Sequence, residues 1–226
     1  MNPQKIKTTN KKFYGKWLYK VSLRVNGAGM FRTGTLESVR DFCLNDEPPA
    51  GRHFSYAVRS YKHRDELLRM AHFLIGHNSS EWAKRIEQSQ IDLYTNEKEF
   101  YENISKEFDD ILLHRFEPIA DSSELLEKSS SIIVKSLPHN KYRYRVYLLP
   151  HKFRGDKEEK TRYIGWLKSQ NPKITCTSAI ESWILKTDWN WDRRYILVED
   201  ESTLLMLKLR NAEVMGRVYN FVVSDK

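Results

Sequence analysis

Lys141, Arg143, Arg145 and Tyr147 alternate with Tyr142, Tyr144, Val146 and Leu148, so a strand through this segment would turn three cations and a tyrosine to one face. Two later segments repeat the pattern. With Ile196 and Val198 inward, Arg193 and Tyr195 point outward; with Val218 and Val222 inward, Arg217, Tyr219 and Phe221 join them. Cations neutralise phosphates and aromatic rings stack on bases, which is how a four-stranded sheet holds single-stranded RNA. Each placement depends on register, since a slip of one residue exchanges the faces. The opposite outcome, in which Tyr195, Tyr219 and Phe221 close a second core, uses the same residues. Trp189, Trp191 and Trp183, near Arg193 and Arg194, offer further stacking or cation–π contacts, or alternatively the plug of a core edge.

A second basic strand lies near the N-terminus. Trp17, Tyr19, Val21, Leu23 and Val25 alternate with Lys16, Lys20 and Arg24. Lys11 and Lys12 precede it. Five residues here, Lys16, Tyr19, Lys20, Val21 and Leu23, are echoed at Lys141, Tyr144, Arg145, Val146 and Leu148. The match suits a duplicated unit, and also two unrelated strands with basic faces.

Catalytic motifs fare worse. Residues Gly29 to Thr35 have the glycine spacing of a phosphate loop but lack the lysine before the hydroxyl residue, so nucleotide hydrolysis is unsupported. Glu199, Asp200 and Glu201 suit a helix start better than a metal site, because Leu148, Leu149 and Pro150 leave no companion carboxylate on the neighbouring strand. No His-x-His pair or metalloprotease helix pair occurs. His139 and His151 flank the basic strand and are the only histidines placed for metal-independent RNA cleavage, with Lys152 or Arg154 steadying the phosphorane. Cys43 and Cys176 have no metal-ligand spacing and read as reduced thiols. No cofactor or metal is expected.

The elements that must position these residues can be sketched from periodicity. Residues 1–12 read as a flexible basic arm. A strand from Lys16 to Val25 leads through Asn26-Gly27, a hairpin signal, to a return strand at Met30 to Thr33. Thr35 caps a helix to Leu44, His53 to Tyr61 is a strand, Arg64 to Ile75 a helix, and Ile86 to Tyr94 extended. An acidic block from Glu97 to Glu127 reads as a long helix, with Phe100, Ile104, Phe108, Ile111 and Leu112 on its apolar side. Residues 121–138 read as a linker with a short strand near Ile132. Beyond it come a strand (Lys141 to Leu149), a helix (Asp156 to Gln170), an extended stretch (Lys173 to Ile184), a strand (Arg193 to Glu199), a helix from Ser202 and a last strand (Gly216 to Val223). That order is β-α-β-β-α-β, the split arrangement of ferredoxin-like domains with helices on one face of the sheet. The fold expected is therefore α+β in two halves: an N-terminal half over 13–120, a linker at 121–138, and a ferredoxin-like half over 139–226.

Charge decides the ligand class. All eight basic residues before Glu37 precede the first acid, and since 38 basic residues face 30 acidic ones, these eight account for the whole net charge of +8. Such concentration suits a polyanion, because neutralised phosphates release counterions. With 40% hydrophobic residues the chain can bury a core, and no apolar run is long enough for a membrane-spanning helix. The N-terminus lacks a signal peptide's apolar segment, so a cytoplasmic protein without membrane contact is expected. The expected function is binding of single-stranded RNA or DNA, as in a viral or phage replication, regulatory or packaging factor. A metal-independent endoribonuclease and a self-assembling capsid-type protein are the alternatives, the latter implying an oligomer.

Overall fold

Apolar alternation through Tyr19, Val21 and Leu23 buries one side of a central strand and leaves Lys20, Ser22 and Arg24 on the other. Around it the first of two units assembles. The structure is a computed structural model that describes residues 6–45, 62–119, 123–128, 130–149, 152, 156–185 and 194–224. The chain divides into Met1–Ser123 and Glu124–Lys226, a mixed α+β protein with two sheets.

The first sheet contains β1 (Ile6–Thr9), β2 (Tyr19–Arg24), β3 (Trp82–Glu87), β4 (Gln90–Thr95) and β5 (Leu112–Pro118), in the order β1-β5-β2-β4-β3. β1 runs parallel to β5 and the other pairs are antiparallel. Its helices are α1 (Met30–Thr33), α2 (Leu36–Leu44), α3 (Arg64–Ile75) and α4 (Lys98–Glu107). α4 packs on the apolar side of the sheet, where Tyr101 stacks on Tyr19 with ring centres 4.8 Å apart. The cap expected at Thr35 is present, its side chain accepting from the Ser38 amide at 3.1 Å.

Three expectations for this unit change. Residues 6–9, read as part of a flexible arm, form β1, and Phe13 and Trp17 make a further bridge. Residues 30–33, read as a returning strand, form a helical turn, so Asn26-Gly27 opens no hairpin. The acidic block is interrupted: α4 ends at Glu107, β5 follows, and α5 (Ser123–Lys128) comes later. Arg69 on α3 explains the break. Its guanidinium lies 4.4 Å from the centre of the buried Phe108 ring and pairs with Asp110 at 2.6 Å, fixing a turn at the helix C-terminus. Residues 53–61, read as a strand, lie outside the described residues.

The second sheet contains β6 (Ser131–Val134), β7 (Tyr144–Leu148), β8 (Tyr195–Val198) and β9 (Met215–Val223), in the order β6-β9-β7-β8. β6 is parallel to β9; β7 is antiparallel to both neighbours. α6 (Lys157–Ser169) starts at an Asp156 cap, as its acidic opening predicts, and α8 (Glu201–Asn211) starts at Asp200. The stretch read as extended from Lys173 to Ile184 is not a strand. Only Ile174 bridges to β8, at Val198, and α7 (Ser178–Leu185) follows. Ile180, Trp183 and Ile184, spaced three and four apart, are all buried, so a short apolar run that periodicity alone could not assign becomes a helix.

Helix side chains of this unit enter one cluster, with Val146, Leu148, Ile196 and Val198 of the sheet. A smaller cluster on the opposite face contains Ile132, Tyr142, Leu197, Tyr219 and Phe221 and, among the described residues, no residue from a helix. Among the described residues no helix is long and apolar enough to cross a membrane.

Candidate nucleic-acid interface

On β7 the side chains of Arg145 and Tyr147 point away from the helices, because Val146 and Leu148 point into them. β8 sets Leu197 opposite Arg145 and Tyr195 opposite Tyr147; β9 sets Tyr219 beside Arg145. Arg145, Tyr147, Tyr195 and Tyr219 thus share one face, whereas Tyr142, expected on the core side with Val146 and Leu148, lies in the cluster of that same face and is corrected. The Arg145 guanidinium sits 4.3 Å from the centre of the Tyr195 ring and 5.3 Å from that of Phe221. Tyr147 touches both tyrosines, at ring distances of 5.7 Å to Tyr195 and 5.9 Å to Tyr219. Arg143 is exposed just before β7, and Arg217 donates to the Tyr219 hydroxyl at 3.1 Å.

Burial divides these residues. Tyr195 is 41% exposed and Tyr147 half-buried, whereas Tyr219 is only 4% exposed. The expectation that Tyr219 faces solvent is therefore corrected. β6 places Ile132 beside Phe221, and Leu137 and Tyr142 from the β6–β7 connection join the same cluster, so part of the face closes into a minor core. What stays accessible is its β8 side. There a cavity of about 500 Å³ is lined by His139, Thr175, Thr177, Arg194, Tyr195 and Leu197, among others.

Lys141 is tied down rather than displayed: its ammonium donates to the Pro172 carbonyl at 2.8 Å and lies 3.8 Å from Glu199. Asp200 caps α8 through the Thr203 amide at 2.8 Å, which accounts for the acidic triplet. His139 is exposed in a left-handed conformation, its ring 5.7 Å from Tyr142. His151, Arg193, Trp189 and Trp191 lie outside the described residues; Trp183 is in the helical core. Among the described residues no group of three metal-ligating side chains occurs.

The N-terminal cations are likewise sorted by the first sheet. Lys11 and Lys12 follow β1 and are half-buried rather than free in an arm. Lys16 lies 4.1 Å from the centre of the Trp17 ring, and Arg24 is exposed beside a groove shared with Arg32 and Gln90. Lys20 is paired with Asp92 at 2.8 Å. The Asp92 carboxylate also accepts from Ser22 at 2.6 Å and Gln90 at 2.7 Å. Burial alone would raise its pKa, but these hydrogen bonds, led by that from Lys20, outweigh burial and hold it below the ordinary carboxylate value.

Several residues on the face of the first sheet opposite α4 escape sequence reasoning. Lys7 and Lys20 lie 5.6 Å and 5.4 Å from the Phe116 ring centre, His114 sits next to Phe116, and Tyr14 packs on Tyr94 at 5.1 Å while accepting from Arg85 at 2.9 Å. Desolvation and then the charges of Lys7 and Lys20 hold His114 below the ordinary histidine value. The available signal was the alternation Gln90, Asp92, Tyr94; β5 was hidden within the acidic block. Comparison with family models, curated proteins and solved structures finds no match to this chain.

Proposed function

We propose that this protein binds single-stranded nucleic acid, with the face of the second sheet opposite α6 and α8 as its principal site. One observation carries the reading: Arg145 lies against the exposed Tyr195 while Tyr147 adjoins it, on a face that receives no helix side chain among the described residues. Exposed rings stack on bases irrespective of sequence, and Arg143, Arg145 and Arg217 supply phosphate contacts. The reading takes the second unit as a ferredoxin-like βαββαβ sheet, in which the segment around Ile174 stands for the strand beside β8 and β6 is an added edge. The basic residues ahead of Glu37 strengthen attraction to a polyanion without selecting a base. A viral or phage replication, regulatory or packaging factor acting in the cytoplasm fits this chemistry.

The test is titration of a labelled oligouridylate and its DNA counterpart with wild type and Tyr195→Ala. Loss of one stacking ring should weaken binding by about 1–3 kcal/mol with the melting temperature unchanged. No measurable affinity in wild type, or equal affinity in the variant, would contradict the proposal.

A further inference from the structure

The two units repeat each other beyond topology. β1 and β2 begin at Ile6 and Tyr19, and β6 and β7 begin 125 residues later, at Ser131 and Tyr144. α4 and β5 begin at Lys98 and Leu112, and α8 and β9 begin 103 residues later, at Glu201 and Met215. In each unit the first strand is parallel to the last, and the second lies antiparallel between the last and the last but one. The Ile174 bridge occupies the place of β3, beside the strand equivalent to β4.

Register agrees residue by residue. Tyr19, Lys20 and Val21 face Thr95, Tyr94 and Leu93, and their counterparts Tyr144, Arg145 and Val146 face Val198, Leu197 and Ile196. On the other side Lys20 faces Phe116 and Leu23 faces Leu112, while Arg145 faces Tyr219 and Leu148 faces Met215, with a register shift just before the second pair in both units. Even the hydrogen bond beyond the shift recurs: Arg24 N to Ile111 O at 2.9 Å, Leu149 N to Val214 O at 2.8 Å. A slip by one residue would exchange the faces, so two independent sheets have little reason to share strand order, both registers and the irregularity.

We infer that the chain is a tandem duplication, and that the face of the first sheet opposite α4, which carries Lys20, His114 and Phe116, is a second site for a segment of single-stranded polynucleotide. The inference rests on the single-strand reading above. Two equivalent positions keep the same chemistry, Lys20 and Phe116 standing where Arg145 and Tyr219 stand in the second unit, and His114 takes the place of Arg217. Lys7, exposed and 5.6 Å from the Phe116 ring centre, adds a cation. The copies differ where the second unit has Tyr147 and Tyr195, because the first has Ser22 and Asp92 joined by a 2.6 Å hydrogen bond. The first site therefore stacks fewer bases and depends more on phosphate contacts, leaving Tyr14, 48% exposed, as its accessible ring. Its affinity is lower and falls more steeply with salt.

Calorimetric titration of the full chain with an oligothymidylate of about six nucleotides distinguishes one site from two. Wild type should take up two equivalents at low salt. Tyr147→Ala with Tyr195→Ala should leave one, of steeper salt dependence; Lys7→Glu with His114→Glu should remove that one and spare the other. All four side chains are exposed or half-buried, and circular dichroism with thermal melting checks that each variant folds; a single change in each pair serves if a double variant does not. Uptake of one equivalent by wild type, or loss of all uptake on changing the second unit alone, overturns the second site while leaving single-strand binding intact. No uptake at all overturns both.

Discussion

At the scale of single residues, the Lys20–Asp92 pair is the most exacting arrangement in the first unit. Both side chains are largely buried, and Asp92 has hydrogen bonds from three neighbours besides a longer one from the Tyr94 hydroxyl at 3.3 Å. Asp92→Asn leaves a cation without its counter-charge and should cost about 3 kcal/mol of stability, read from chemical denaturation. The sign of the pH effect follows from the lowered pKa. Asp92 contributes stability that is fully present above its unfolded value of about 4 and is lost as pH falls through the lower folded value, so the difference between wild type and Asp92→Asn should narrow in acid. Tyr219 and Tyr195 separate packing from binding in the second unit. Tyr219→Ala should lose about 3–5 kcal/mol of stability because the side chain is buried, whereas Tyr195→Ala should leave the melting temperature near that of wild type. Strand parity made the shared face of these tyrosines legible in the sequence. Their different burial was not, because it depends on Ile132, Leu137 and Tyr142 arriving from another connection.

At the scale of elements, legibility follows how locally each one is determined. α2, α3 and α6 emerge at or near their expected bounds because caps and apolar spacing lie within the segment itself. Asp156→Ala should therefore destabilise the second unit by about 1 kcal/mol, measured by thermal or denaturant unfolding, since its carboxylate accepts from the Glu159 amide at 2.8 Å. β1 has no such internal signal: four residues become a strand only because β5, over a hundred residues later, offers an edge. Its partners are supplied by tertiary structure, so the segment itself carries no strand signal. α7 is the converse case, an apolar segment too short to reveal its period, resolved by packing into the helical cluster. Both cysteines are free thiols, as their spacing suggests. Burial pushes the Cys43 thiol up to about 11, leaving it protonated and unreactive at neutral pH.

At the scale of the molecule, the charge ahead of Glu37 and the aromatic face of the second sheet should contribute to binding in different ways. Neutralising Lys16 and Arg24, both exposed, should reduce the slope of log affinity against log salt by about 0.7 for each phosphate that no longer meets a cation. Removing Tyr195 should lower affinity with little change of slope. Binding isotherms over a salt series separate the two contributions. Photo-crosslinking of an iodouridine-substituted oligonucleotide to the full chain, with the attached residues identified by mass spectrometry, reads directly which surface the strand touches. Crosslinks at Tyr195 and Tyr147 are the predicted result; crosslinks confined to the helical side, at Trp166 or elsewhere on α6 and α8, or none at all, would contradict it.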